Sequence, residues 1–144
     1  MKIVIVSGYF DPIHVGHLEM FQLAKALGDE LVVIVNNDTQ AKIKKGRAFL
    51  NEQDRLKIVK AIKYVDLPFL SVDDNETVCS SLGVLAKSLR LSYPDCKIVF
   101  ANGGDRGVRE IPEAKVAKKY NIKMIDGLGE KIRSSSEINK GIEQ

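Results

Sequence analysis

Lys2-Ile3-Val4-Ile5-Val6-Ser7, running into Gly8-Tyr9-Phe10-Asp11-Pro12-Ile13-His14-Val15-Gly16-His17, decides how this chain folds. The first six residues are rich in Ile and Val, the composition of a strand buried on both faces of a parallel sheet. From His17 to Leu27 the apolar residues Leu18, Met20, Phe21, Leu23, Ala24 and Leu27 recur at helical spacing, with Gly28 where a helix commonly stops. The ten residues from Gly8 to His17 therefore connect a first strand to a first helix, the place of a phosphate-binding loop.

Outward from that connection the alternation continues. Glu30 to Asn36 carries the unbroken run Leu31-Val32-Val33-Ile34-Val35 and reads as a second buried strand, completing a β-α-β unit. Asn51 caps a helix with an apolar stripe through Leu56, Val59, Ala61 and Ile62; Arg55 and Lys57 fall on its wet side, and it ends near Tyr64. Residues 69–72 read as a strand, 78–91 as a helix, 97–101 as a strand, 113–120 as a helix, 123–125 as a last short strand and 135–140 as a final helical turn or two. This order predicts an α/β fold, a Rossmann-like three-layer sandwich with a central, mainly parallel sheet, built as one domain over residues 1–144. Ligands are expected beyond the carboxyl ends of the strands.

Composition narrows the function classes. The 22 basic and 19 acidic residues give a formal charge of +3, an excess too small to call for nucleic acid yet compatible with a small anionic ligand. Cys79 and Cys96 stand 17 positions apart with no second pair or nearby histidine to suggest zinc, so they read as reduced thiols in a cytoplasmic protein. The apolar run Ile3 to Val6 is four residues long, neither a signal peptide nor a membrane span. No low-complexity segment or internal repeat is present.

His14 and His17 are the only histidines in the chain, and Gly16 lies between them. Taken singly, a histidine here is a helix cap or a satisfied core residue. Two of them three residues apart, beside a glycine that lets a phosphate come close, point to one anion pocket. An imidazole N–H can donate to a phosphoryl oxygen, and a protonated ring adds positive charge. Two histidines without a third close ligand do not make a zinc site, so no protein-held metal is expected.

Three further segments carry chemistry. Lys42-Ile43-Lys44-Lys45-Gly46-Arg47 reads as a basic loop after the second strand, on the same side of the sheet as the histidines. Ala101-Asn102-Gly103-Gly104-Asp105-Arg106-Gly107 follows a buried strand, and its paired glycines permit a tight turn or close approach of a ligand. Arg133-Ser134-Ser135-Ser136 precedes a short helix, where hydroxyls and backbone N–H groups can meet an anion. A redox Rossmann reading fails, because the first loop lacks Gly-x-Gly-x-x-Gly and Asn36 and Asn37 stand where an acid would end the second strand.

The first loop resembles the cytidylyltransferase-like nucleotidyltransferase family, whose signature Gly-x-Phe-Asp-x-x-His-x-Gly-His is met at every letter by Gly8, Phe10, Asp11, His14, Gly16 and His17. The resemblance is to the short cytidylyltransferases and to the heptose-phosphate adenylyltransferases. It implies in-line attack of a substrate phosphate on the α-phosphate of an NTP, with release of pyrophosphate and no covalent enzyme intermediate. His14, His17 and Lys44 are then the catalytic set, with Lys45 the close alternative to Lys44. Gly8, Tyr9, Phe10, Asp11, Gly16, Arg55, Gly104, Asp105, Arg133, Ser134, Ser135 and Ser136 are implied around the nucleotide. Asp11, Asp105 and Arg106 are implied toward the acceptor, and Asp11 also as an outer-shell partner of magnesium, which enters with the NTP.

Length and element order favour CTP slightly, whereas Asn102-Gly103-Gly104-Asp105 leans toward the adenylyl branch and ATP. Arg133 stands where the family carries isoleucine. The acceptor is a phosphorylated small molecule, and relatives of this size pair as homodimers. The rival from another class is a non-catalytic nucleotide-binding module that kept the fold and lost turnover.

Overall fold

A computed structural model describes residues 1–102 and 111–126 of the chain. At its centre lies β1 (Lys2–Gly8), paired in parallel on one side with β2 (Glu30–Val35) and on the other with β4 (Lys97–Ala101). Outside these run β3 (Leu67–Leu70), parallel to β2, and β5 (Ile122–Ile125), parallel to β4, giving the order β3-β2-β1-β4-β5. Every pairing among the described strands is parallel, as the alternating pattern predicted. The order reverses between β1 and β4, so the crevice beyond their carboxyl ends is the topological switch point at which such sheets receive ligands.

Strand residues of alternate parity fill two cores. Ile3, Ile5, Val32, Ile34, Ile98 and Phe100 pack with Leu82, Leu85 and Ala86 of α4 (Cys79–Ser92) and Ala117 of α5 (Glu113–Lys119). Val4, Val6, Leu31, Val33 and Val35 pack on the opposite face with Phe21 and Ala24 of α1 (Val15–Ala26) and Val59 of α3 (Glu52–Lys60). Each such fully buried aliphatic side chain contributes about 1.5–3 kcal/mol. Together these burials hold the strand ends in fixed register beneath the site.

The structure corrects several expectations. A helix the periodicity did not show, α2 (Asp38–Lys45), follows β2, so Lys42, Lys44 and Lys45 stand in a helical last turn and not in a loop. Its start is fixed by a capping box: the Asn37 side chain accepts from the Gln40 N–H, and the Gln40 side chain accepts from the Asn37 N–H, both at 2.9 Å. Gly46 ends it in the left-handed conformation, φ 85°. β3 begins two residues earlier than expected and includes Pro68, which an edge strand tolerates. The final helical turn expected over 135–140 lies outside the described residues.

Candidate active site

α1 starts at Val15, two residues before the apolar periodicity suggests, because His14 is its N-cap. His14 Nδ1 accepts from the Gly16 N–H at 3.0 Å, and His17 Nδ1 accepts from the His14 N–H at 3.1 Å. The two rings stack with centroids 3.8 Å apart and planes at 29°. The helix-cap role and the juxtaposition of the two rings are therefore one arrangement. Phe10 supports it from below: buried, with left-handed backbone (φ 52°), it meets His17 edge-on at 5.0 Å and packs on Phe21. Gly8 makes room for that ring, since a Cβ there would lie 2.8 Å from Phe10 Cζ. Phe10, expected near the nucleotide, is a floor beneath His17.

These hydrogen bonds decide where the imidazole protons sit. An Nδ1 that accepts a backbone N–H carries no proton, so the neutral ring of each histidine holds its proton on Nε2. Burial lowers the pKa of His14 below the usual histidine value. Burial, then the neighbouring His14 and Lys45, push His17 down to about 4. Near neutral pH His17 is a neutral N–H donor.

Asp11, expected toward acceptor or magnesium, is enclosed instead. Its carboxylate is 0% exposed and accepts from the N–H groups of Phe49 at 2.7 Å and Leu50 at 2.8 Å. Lys45 Nζ donates to its backbone carbonyl at 3.1 Å and lies 3.8 Å from the carboxylate. Asp11 thus ties the first loop to the segment following α2. The peptide bond to Pro12 is cis.

Arg55 is also inside, where the sequence placed it on the wet side: it is 0% exposed. Its Nε donates to Leu50 O at 2.9 Å and its Nη1 to Tyr9 O at 2.8 Å and Asn36 O at 2.6 Å, while Nη2 meets Asp38 Oδ1 at 2.7 Å. One guanidinium thereby fixes the first loop, the end of β2, the start of α2 and the approach to α3. Charge-assisted bonds of this kind are about twice as strong as neutral ones. A phosphate contact was expected of Arg55, and the geometry makes it a clamp on the loops that carry the other residues.

α2 is held on its far side too. Asn37 Nδ2 donates to Ser71 O and Asp73 O, and Gln40 Nε2 to Asn75 O and Thr77 O, all between 2.7 and 3.0 Å. Lys44 and Lys45 thus rise from a helix braced by its neighbours, with Nζ atoms 4.6 and 5.6 Å from the centre of the Tyr9 ring. Burial, and then the charge of Glu76, raise the Tyr9 pKa above the usual phenol value. Among the described residues no group of three or more His, Cys, Asp or Glu is arranged to hold a metal ion.

Gly16 lies buried in the first turn of α1, where its N–H serves the His14 cap. Gly104, Asp105, Arg106, Arg133, Ser134, Ser135 and Ser136 lie outside the described residues. Asn37, Asp38 and Gln40 are the site-building residues that sequence reasoning missed, although Asn-x-x-Gln at 37–40 is a helix-start signal. No described helix is long and apolar enough to cross a membrane.

A parallel sheet whose switch-point loop presents paired histidines beside a lysine-bearing helix defines a nucleotidyltransferase architecture. The chain belongs to the cytidylyltransferase-like family, whose model matches residues 5–139. It is 52% identical over 64 residues to an FAD synthase of Pyrococcus horikoshii, a match covering 44% of this chain and 43% of that protein. It is 33% identical over 145 residues to the bifunctional protein HldE of Citrifermentans bemidjiense, covering 95% of this chain and 26% of that protein. Among solved structures it resembles a lipopolysaccharide core biosynthesis protein of Thermoplasma volcanium, with TM-score 0.62 and 27% identity over 88% of this chain and 95% of that one. The matches thus span less than half of the FAD synthase and about a quarter of HldE.

Proposed function

We propose that this protein is an adenylyltransferase that joins the AMP part of ATP to the phosphate of a small acceptor and releases pyrophosphate. An acceptor phosphate oxygen forms the new bond to the α-phosphorus, and the bond from that phosphorus to the bridging oxygen of the β-phosphate breaks. No general base is needed, because a phosphate monoester is already ionised near neutral pH. The reading rests on one observation above the others: His14 and His17 are stacked with both Nδ1 atoms occupied by backbone N–H groups. With Nδ1 occupied, each neutral ring carries its proton on Nε2, the atom that in this reading donates to phosphoryl oxygens as negative charge shifts toward the leaving group.

Lys44 and Lys45 supply countercharge for the phosphate chain, and magnesium, if it enters with the nucleotide, would add to that charge neutralisation. The Asp11 carboxylate, already accepting from the Phe49 and Leu50 N–H groups, would not be a direct ligand of that ion. Gly104, Asp105, Arg106, Arg133 and Ser134 to Ser136 complete the nucleotide and acceptor contacts in this reading, on the strength of the family pattern.

The slight preference for CTP gives way to ATP. The likeness to FAD synthases supports this, since the molecule in their name contains an AMP moiety, and Asn102-Gly103-Gly104-Asp105 leans the same way. Acceptors to test first are FMN, a sugar phosphate and glycerol 3-phosphate. A pyrophosphate-release screen of the four NTPs against this panel, with magnesium, should give turnover with ATP well above CTP. Absence of pyrophosphate from every combination overturns the enzyme reading in favour of a binding module, and CTP as the faster donor overturns the nucleotide choice.

A further inference from the structure

Tyr9 stands at the first variable position of the loop signature, between the glycine that ends β1 and Phe10. The Nζ of Lys44 lies 4.6 Å and that of Lys45 5.6 Å from the centre of its ring. A site for a polyanion must hold its cations together before the anion arrives. Two ammonium groups in one neighbourhood repel, and a long side chain gains rotamer freedom by swinging into water; Asp11 holds Lys45 from one side, with its carbonyl 3.1 Å from Nζ. An aromatic face carries the negative part of the ring quadrupole and opposes both tendencies. The backbone that carries the ring is held in turn, because Arg55 Nη1 donates to the Tyr9 carbonyl at 2.8 Å.

Tyr9 Oη is buried with no hydrogen-bond partner among the described residues. Among the described residues it is the ring face of Tyr9 that is engaged, by the two ammonium groups. We infer that Tyr9 is a positioning residue whose ring seats the ammonium groups of Lys44 and Lys45 as a preformed receptor for a phosphate chain. This rests on the proposed function only in taking those two lysines as the ones that receive phosphate.

The test is calorimetric titration of inorganic pyrophosphate into wild type, Tyr9→Leu and Tyr9→Phe, together with steady-state kinetics. Tyr9→Leu should bind pyrophosphate about tenfold more weakly, the scale of two half-exposed cation–π contacts, and should raise the KM for ATP more than it lowers kcat. Tyr9→Phe should recover most of that affinity and melt no lower than wild type, since it removes only the unpaired hydroxyl. Equal affinity in wild type and Tyr9→Leu, or Tyr9→Phe as weak as Tyr9→Leu, overturns the inference while leaving the proposed function standing. Wild type that binds no pyrophosphate overturns both. Should Tyr9→Leu not fold, the wild-type protein still decides: the ε-methylene protons of Lys44 should resonate upfield of free lysine, and free-lysine positions refute the seat.

Discussion

The backbone N–H of His14 donates to Nδ1 of His17 at 3.1 Å, so the second histidine of the loop closes the cap that the first one opens. Structure and chemistry are joined in this bond, because occupying Nδ1 sets the proton on Nε2. Replacing either ring by alanine should cost about 1 kcal/mol of stability as a lost cap. Turnover should fall far more, by about 10²–10³-fold in kcat, as when one donor to a developing oxyanion is removed. Steady-state kinetics beside thermal melts separate the two, and a loss confined to KM would contradict the transition-state role.

The depressed pKa of His17 makes a pH prediction. The folded state keeps this ring neutral down to about 4, whereas the unfolded chain protonates it near the ordinary 6.5. Between those values the unfolded state binds more protons, so stability rises with pH in that window. The contribution is fully present above 6.5 and is lost as pH falls through about 4. Its size is on the order of 2 kcal/mol once the partial exposure of the ring is allowed for. Urea unfolding of wild type and His17→Asn from pH 7.5 to 4 should show the steeper decline in wild type; parallel curves would refute the assignment.

Arg55→Ala should be among the most damaging single changes, because four oxygens lose a buried cationic donor. A loss of about 3 kcal/mol or more is expected, because the carbonyls of Tyr9, Asn36 and Leu50 lose their donor at about 1–3 kcal/mol for each that stays buried. Arg55→Lys should recover little, since one ammonium cannot reproduce a planar fork that reaches four segments. Chemical denaturation measures this, and a variant as stable as wild type would show that the clamp is dispensable.

Arg55 also shows what sequence could and could not tell. It stands one turn before Val59, so helical spacing places the two on one inward face. Its charge sent it outward in the sequence reading, because most of the acceptors that satisfy it, on Tyr9, Asn36 and Asp38, stand well before it in the chain. The buried strands β1, β2 and β4 were legible, since unbroken Ile and Val runs have few other uses. The helix α2 was not, because its basic residues show no apolar stripe and its start signal, Asn37 with Gln40, is only local. Asp11 was legible as a loop residue but not as a tie, since nothing in the motif reveals that residues 49 and 50 come to meet it.

Asp11→Ala should loosen the segment after α2. It leaves the N–H groups of Phe49 and Leu50 without their acceptor, at about 1–3 kcal/mol for each group that stays buried. Amide hydrogen exchange at residues 49 and 50 should rise sharply in the variant. Unchanged protection there would mean that those amides find other partners and that the tie is not what orders the segment.

The most direct measurement follows ³¹P resonances while wild type, His14→Asn and His17→Asn act on magnesium ATP with the acceptor that gives turnover. Wild type should convert ATP into one inorganic pyrophosphate and one phosphoanhydride-linked product for each acceptor consumed, and each variant should do so at least about 10²-fold more slowly. ADP and orthophosphate as the products, or an undiminished rate in both variants, would contradict nucleotidyl transfer by the paired imidazoles.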